Sequence, residues 1–152
     1  MHSVIISDTS CLIAFDRINR LEILHAVFPI IITTKEVQDE YGKPFPGWIS
    51  ITEVKDKSKK LELEKSLDKG EASAIALAVE TKNSILIIDE KKGRAIAEKN
   101  HLHIIGTLKI LLLAKQKGII DSLSEIIALL EKNNFRFSKN IKEKMLSEAG
   151  EL

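Results

Sequence analysis

The sequence Val-Ile-Ile-Ser-Asp at residues 4–8 and the sequence Ile-Leu-Ile-Ile-Asp at residues 85–89 decide the fold of this chain. Each is an apolar run typical of a buried strand, and a helical pattern follows each one. If the two strands lie parallel in one sheet, Asp8 and Asp89 emerge at the edge where open α/β sheets bind ligands. Two carboxylates held together repel each other unless a positive group lies between them. The pattern therefore predicts a divalent metal site.

The length and composition favour one globular domain. The chain has 152 residues, of which 44% are hydrophobic and 30% charged, and its formal net charge is +1. The single cysteine, Cys11, excludes an internal disulfide and favours a reduced, cytoplasmic setting. No uncharged apolar run approaches the roughly 18 residues that a membrane span needs. We therefore expect a cytoplasmic protein without a membrane segment or a signal segment.

Strand and helix patterns alternate along the chain, which predicts a mainly parallel sheet. Right-handed crossovers would place helices on both faces of that sheet. We expect a three-layer α/β/α sandwich in a single domain over residues 1–152, with two extra C-terminal helices in an extension over residues 119–152. The predicted strands cover residues 4–7, 30–33, 49–54, 85–88 and 103–105, and the predicted helices cover 10–26 with a break near 16–19, 35–41, 55–69, 71–81, 91–99, 107–117, 123–132 and 139–149.

Further acidic residues follow predicted strands or begin predicted helices. Any one of them could only cap a helix or favour its N-terminus, but independent caps need not converge on one sheet edge. Carboxylates without histidine or cysteine suit Mg²⁺ or Mn²⁺, and such an ion makes bound water a better nucleophile. Metal-assisted phosphodiester hydrolysis is the chemistry this predicts, although a metal-dependent phosphatase would use the same residues. The acids are Glu36, Glu40, Glu71 and Glu90, with Asp8 and Asp89.

Several motifs, in this order and spacing, resemble those of the PIN-domain nucleases, in particular the VapC-like branch. The resemblance implies a parallel sheet whose acids bind one or two Mg²⁺ or Mn²⁺ ions, and an RNA-hydrolysing activity. It also implies an antitoxin protein as partner, since many VapC-like members are toxins, and a homodimer or higher oligomer. The matching segments are Ser7–Ser10 with Leu12–Ile13, Val37–Glu40, Gly70–Ala72 with Ala74–Ala78, Ile87–Asp89 with Gly93–Arg94, Gly106–Leu108 with Leu111, Ala114–Lys115 and Gly118, then Phe135–Ser138 and Ala149–Glu151.

The resemblance also assigns roles to the acids. It makes Asp8 the first metal ligand, Glu71 the third, and either Asp89 or Glu90 the fourth. The second is Glu40, because the family usually has Val-x-x-Glu here. Glu36, one turn away on the same helix face, is the alternative. Where relatives often carry two aspartates, this chain has Asp89 followed by a glutamate, which reaches one methylene further.

Hydroxyl and basic residues complete the expected site. Ser10 and Thr107 match family hydroxyls near the metal, where they would contact metal-bound water or phosphate; helix capping is an equal alternative. Lys91, Lys92 and Arg94 follow the fourth acid and could hold an RNA backbone, or they could form a solvated helix face.

Three functions are consistent with these residues. The leading hypothesis is a Mg²⁺- or Mn²⁺-dependent endoribonuclease, a hydrolase that is the toxin of a VapBC-type toxin–antitoxin system. The second is a PIN-like nucleic-acid-binding module with weak or no catalysis, which the glutamate at position 90 favours. The third is an unrelated α/β domain that binds a small ligand, and the lack of a glycine-rich phosphate loop counts against it.

Overall fold

The structure, a computed structural model, describes residues 3–152 and has a parallel sheet at its centre. The strands are β1 (Val4–Ser7), β2 (Ile31–Thr33), β3 (Ile49–Ile51), β4 (Ser84–Ile87) and β5 (His103–Ile105). They lie in the order β3-β2-β1-β4-β5, and every pair of neighbours is parallel. The predicted α/β architecture is therefore confirmed.

Helices connect the strands and cover both faces of the sheet. Among the described residues they are α1 (Thr9–Arg17), α2 (Leu21–Val27), α3 (Lys35–Tyr41), α4 (Lys57–Glu64), α5 (Lys69–Val79), α6 (Lys91–Lys99), α7 (Thr107–Gln116), α8 (Leu123–Lys132) and α9 (Lys139–Glu148). The predicted break in the first helical stretch occurs at Asn19, whose φ of 56° cannot continue a right-handed helix.

The apolar runs of β1 and β4 are continuous because both faces of the sheet are buried. Ile5 packs into a core formed mainly with α1, α2, α7 and α8, whereas its neighbour Ile6 packs into a second core formed with α4, α5 and α6. Leu86 and Ile87 alternate in the same way. Each such side chain, when fully buried, contributes about 1.5–3 kcal/mol to folding, so the two cores hold the strand ends in place.

The strand order changes direction beside β1. The chain runs from β1 through β2 to β3, then returns by α4 and α5 to place β4 on the other side of β1. Ser7, the last residue of β1, is in register with Ile87, the last residue of β4. The crevice between the carboxyl ends of these two strands is therefore the topological switch point, the usual ligand position in such sheets.

The end of the chain is fastened to α7 and α8 by one carboxylate. Glu151 accepts hydrogen bonds from the backbone amides of Leu123 at 2.6 Å and Ser124 at 3.0 Å, and from Lys115 Nζ at 2.8 Å. Burial opposes ionisation of Glu151, but the ammonium of Lys115 and the two amides lower its pKa to about 2. No helix within residues 3–152 is long and apolar enough to cross a membrane.

Candidate acidic active site

The switch crevice is lined by acids that come from different parts of the chain. Asp8 directly follows β1, and Asp89 lies two residues beyond β4. Glu71 reaches the same region from the first turn of α5, which runs back toward β4. The structure thus brings together three of the acids expected from the sequence.

Asp8 is fully buried, and within the described part of the chain its carboxylate has no hydrogen-bond partner. Its exposed fraction is 0%, and neither Oδ1 nor Oδ2 is bonded within the described structure. Burial, followed by the charges of Asp89 and Glu71, raises the pKa of Asp8 well above its ordinary value. Asp8 occupies the N-cap position of α1 without a capping hydrogen bond, and the nearby Cys11 amide lowers its pKa less than burial and the two acids raise it.

Glu71 is the second buried acid with an unpartnered oxygen. Its side chain is 6% exposed, and Oε2 has no hydrogen bond within residues 3–152. Burial, then the charges of Asp68 and Glu90, raises the pKa of Glu71 to about 8. A methyl group at Gly93 would lie only 2.6 Å from Glu71 Oε2. The carboxylate fits in this place because residue 93 has no side chain.

Asp89 is held by the start of α7. Its Oδ1 accepts a hydrogen bond from the Thr107 amide at 2.8 Å, and its Oδ2 accepts one from the Thr107 hydroxyl at 2.5 Å. Gly106 precedes that threonine, and a methyl group there would lie 2.9 Å from Asp89 Oδ1. Glu90 is exposed at the N-cap of α6 and makes no capping bond; its charge acts on Glu71.

Glu40 lies beside these acids but its oxygens are engaged by protein groups. Oε1 accepts a hydrogen bond from the Thr9 hydroxyl at 2.7 Å, and Oε2 accepts one from the Gly70 amide at 2.9 Å. The alternative acid, Glu36, is bound instead by Lys60 Nζ at 2.7 Å. The structure therefore places Glu40, and not Glu36, next to the residues that flank Asp8 and Glu71.

A family model for DUF3368, described as a PIN domain, matches residues 4–151. The chain belongs to the PIN-domain family. PIN domains are generally nucleases and usually use divalent metals, so the family indicates a nuclease-type hydrolase with nucleic acid as its substrate class. Neither the curated proteins nor the solved structures contain a match.

The acids at this edge of the PIN domain are not already arranged to coordinate a metal ion. Among residues 3–152, no group of three or more His, Cys, Asp or Glu side chains could hold a metal ion in the arrangement observed. The residues nevertheless fit a hard cation, because the buried oxygens of Asp8 and Glu71 carry open lone pairs and face added negative charge. Closing three acids around one ion requires a shift of side chains such as Asp89, whose oxygens are bonded to Thr107.

The basic residues expected to contact nucleic acid lie on α6, beside the acids. Arg94 Nη1 donates to the carbonyl of Ile88 at 2.9 Å. A methyl group at Gly106 would lie 2.8 Å from the same nitrogen and 2.9 Å from Asp89 Oδ1. The guanidinium of Arg94 and the carboxylate of Asp89 therefore both lie next to Gly106. Lys91 and Lys92 are exposed in the first turn of α6, where a helix dipole disfavours cations. Their position cannot be explained by helix stability.

Ser10 and Thr107, the two expected hydroxyl residues, differ in their surroundings. Thr107 is buried and donates to Asp89, whereas Ser10 is exposed in the first turn of α1. Only Thr107 is therefore joined to an acid of the crevice by a hydrogen bond.

Sequence reasoning missed two residues of the site. Asp68 accepts a hydrogen bond from the Glu71 amide at 2.8 Å, and its charge raises the pKa of that glutamate. The signal was present as Asp-x-x-Glu before an apolar stripe, a typical helix start. Thr9 binds Glu40 across 31 positions, a contact that no local pattern indicates.

Proposed function

We propose that this PIN domain is a divalent-metal-dependent endoribonuclease that hydrolyses RNA phosphodiester bonds. The observation that carries the proposal is the set of buried oxygens without hydrogen bonds, on Asp8 and Glu71, at the switch point of the sheet. A buried carboxylate without a partner costs stability, so natural proteins retain one mainly where it has a use. Binding a cation at this point would remove that cost.

Asp8, Glu71 and Asp89 would hold Mg²⁺ or Mn²⁺, with Glu90 the alternative to Asp89. A divalent ion so bound would lower the pKa of a water ligand and stabilise the negative charge that develops on the phosphate. The chain's own contribution is to exclude solvent around Asp8, which is 0% exposed, and to orient Asp89 through Thr107. The family resemblance makes Glu40 a further ligand, but both of its oxygens already accept hydrogen bonds from Thr9 and Gly70, so we leave it out of the proposed ligand set.

Lys91, Lys92 and Arg94 would hold the RNA backbone beside the acids. Both lysines are exposed, and among the described residues neither forms an ion pair that would occupy its charge. A net charge of only +1 supplies little attraction for RNA, so local cations have to supply it. Such contacts position the substrate without selecting its sequence.

We also propose that an antitoxin protein binds this nuclease and inhibits it. The VapC resemblance suggests that the protein is the toxin of a VapBC-type pair and that it self-associates. Two measurements test this: the mass of the purified protein by light scattering, and growth of cells that express it with and without the adjacent gene. Growth arrest relieved by the adjacent gene is expected; growth unaffected by the nuclease would contradict the toxin role.

A second candidate function is RNA binding with weak or no catalysis. It is favoured by the lack of a ready metal-ligand group within residues 3–152 and by the two bonds that Thr107 makes to Asp89. The two candidates differ in a single outcome, which is cleavage of bound RNA when Mn²⁺ is supplied.

The test is cleavage of a mixed-sequence RNA by purified protein with Mn²⁺, with Mg²⁺ and with EDTA. We expect cleavage only with a divalent ion, and a loss of about 10²- to 10³-fold in Asp8→Asn and Glu71→Gln. Glu62→Gln is the matched control, because Glu62 is exposed on α4. Cleavage that persists in EDTA or in both acid variants would contradict the proposal, and binding without cleavage would establish the second candidate.

A further inference from the structure

The carboxylate of Glu40 joins the two halves of the acidic crevice. One of its oxygens accepts from Thr9, the residue after Asp8, and the other accepts from the amide of Gly70, the residue before Glu71. The two bonds measure 2.7 and 2.9 Å. A single side chain on α3 therefore connects the hydroxyl of the residue after Asp8 with the backbone amide of the residue before Glu71.

The neighbourhood of Glu40 is built to keep it there. A methyl group at Gly70 would lie 2.7 Å from Glu40 Cδ, so the close approach of α3 to α5 depends on that glycine. The same two helices are joined a second time where the Thr34 and Ser73 hydroxyls lie 2.7 Å apart in the buried interior. The start of α3 is thus joined to α5 independently of Glu40, and this join carries the helix, and with it the exposed Glu40, to the amide of Gly70.

We infer that Glu40 is a positioning residue, which sets the separation of Asp8 and Glu71 and does not itself bind metal. The inference rests on the proposed metal-dependent nuclease. Its basis is where the Glu40 bonds lead: they reach the neighbour of Asp8 and the neighbour of Glu71, whereas both Asp89 oxygens accept from one residue, Thr107. Both Glu40 oxygens accept bonds from protein groups, whereas both Asp8 oxygens and one Glu71 oxygen accept none within the described residues.

A glutamine at position 40 separates the two roles. Its amide oxygen can accept from the Gly70 amide, and its amide nitrogen can donate to the Thr9 hydroxyl, which also has acceptor lone pairs. Glu40→Gln therefore keeps both connections and removes the charge. Glu40→Ala removes both connections while placing a better helix former at an α3 position.

The experiment measures three quantities for wild type and each variant: the Kd for Mn²⁺ by calorimetry, the Tm of the metal-free protein, and kcat and KM for RNA well below that Tm. Asp39→Asn is the control, because Asp39 is the exposed neighbour on the same helix and its ion pair is with the exposed Lys35. Thr9→Val supplies a second way to break the connection if Glu40→Ala folds poorly.

For Glu40→Gln we expect the Mn²⁺ Kd and kcat to stay within about threefold of wild type, with Asp39→Asn likewise unchanged. For Glu40→Ala we expect Mn²⁺ affinity or kcat to fall about 10- to 100-fold with KM for RNA nearly constant, as when a supporting contact of a metal ligand is lost. Thr9→Val should change the same quantity in the same direction by a smaller factor. A merely structural role would lower Tm and leave the kcat of the folded enzyme unchanged.

Besides that structural outcome, two other results would overturn the inference. If Glu40→Gln loses Mn²⁺ affinity as strongly as Glu71→Gln while wild type is active, Glu40 is a ligand and only the positioning role fails. If wild type itself neither binds Mn²⁺ nor cleaves RNA, the proposed function fails and the inference fails with it.

Discussion

The acidic crevice and the C-terminal clasp, which Glu151 forms with α7 and α8, surround a carboxylate in opposite ways, with Asp8 fully buried and Glu151 partly buried. Glu151 accepts bonds from Lys115 and two backbone amides, and its pKa is lowered to about 2. Asp8 accepts none from the described residues, and burial with two neighbouring acids raises its pKa. The first arrangement stabilises the fold, whereas the second destabilises it.

The difference shows where this protein leaves polar groups without the hydrogen bonds that a stable fold favours. Sequences that fold well satisfy their buried polar groups, and the exceptions concentrate at functional sites. In the clasp, both oxygens of Glu151 accept hydrogen bonds. In the crevice, Asp8 and Glu71 each have an oxygen that accepts none from the described residues. We attribute the clasp to stability and the crevice to function.

The largest expected effect is a change in the free energy of unfolding with pH, caused by the acids of the crevice. The pKa of Glu71 rises from 4.5 in the unfolded chain to about 8 in the fold, so the folded state holds a proton that the unfolded state has lost. Stability therefore falls as pH rises from about 4.5 to about 8, by on the order of a few kcal/mol. Thermal unfolding in EDTA at pH 5 and pH 8 measures it, at about 2–4 °C of Tm per kcal/mol.

Variants of the crevice identify the source of that pH dependence. Glu71→Gln and Asp8→Asn should each raise Tm at pH 8 and reduce the difference between pH 5 and pH 8. Glu62→Gln, on the exposed face of α4, should keep the wild-type difference. If wild type and the three variants all show the same change in Tm between pH 5 and pH 8, the crevice acids are not the source of the pH dependence.

The clasp should respond in the opposite sense. Glu151→Gln removes the charge that binds Lys115 and two amides, so we expect a loss of about 1–2 kcal/mol at pH 7, or roughly 2–8 °C in Tm. The lowered pKa means that this contribution is present above pH 4.5 and is lost as pH falls toward about 2, where variant and wild type should converge. RNA cleavage by the folded variant should be unchanged, and a selective loss of cleavage would make the clasp part of the site.

The smallest expected change in stability comes from one methyl group in the crevice. In Gly93→Ala the new methyl would meet Glu71 Oε2 at 2.6 Å and Cδ1 of the buried Ile88 at 2.7 Å, so both side chains have to move. We expect cleavage about 10-fold lower, with stability changed by no more than about 1 kcal/mol because the gain in helix propensity offsets part of the crowding at Ile88. Gly47→Ala, whose methyl would meet nothing within 4 Å, is the control. Cleavage at the wild-type level would mean that the position of Glu71 is not critical.

Much of the fold could be predicted from the sequence because its signals are local. The apolar runs that end at Asp8 and Asp89 gave the central strands, and the alternation with helices gave a parallel sheet, both of which the structure confirms. The charged stretch over residues 55–69 was predicted as one helix, but α4 covers only Lys57–Glu64. Asp56 caps that helix by accepting from the Lys59 amide, which explains the later start.

The candidate site was harder to predict because its contacts join distant positions. The pattern Val-x-x-Glu pointed to Glu40 without indicating that Thr9 and Gly70 bind it across 31 and 30 positions. Exposure of Glu90 and the bonds from Thr107 to Asp89 likewise depend on how α6 and α7 pack. A sequence pattern gives the identity of such residues, whereas their hydrogen bonds follow from tertiary packing.

The central position of β1 also determines when the crevice is completed during synthesis. β1 is made first and can pair with β2 as soon as residue 33 has emerged, but its other neighbour, β4, ends only at residue 87. Thr107, which holds Asp89, follows later still in a chain of 152 residues. Pairing over such a separation is slow, and one side of β1 stays open until it occurs. Until β4 pairs with β1, Asp8 and Asp89 do not lie at neighbouring strand ends, and the acidic crevice does not yet exist.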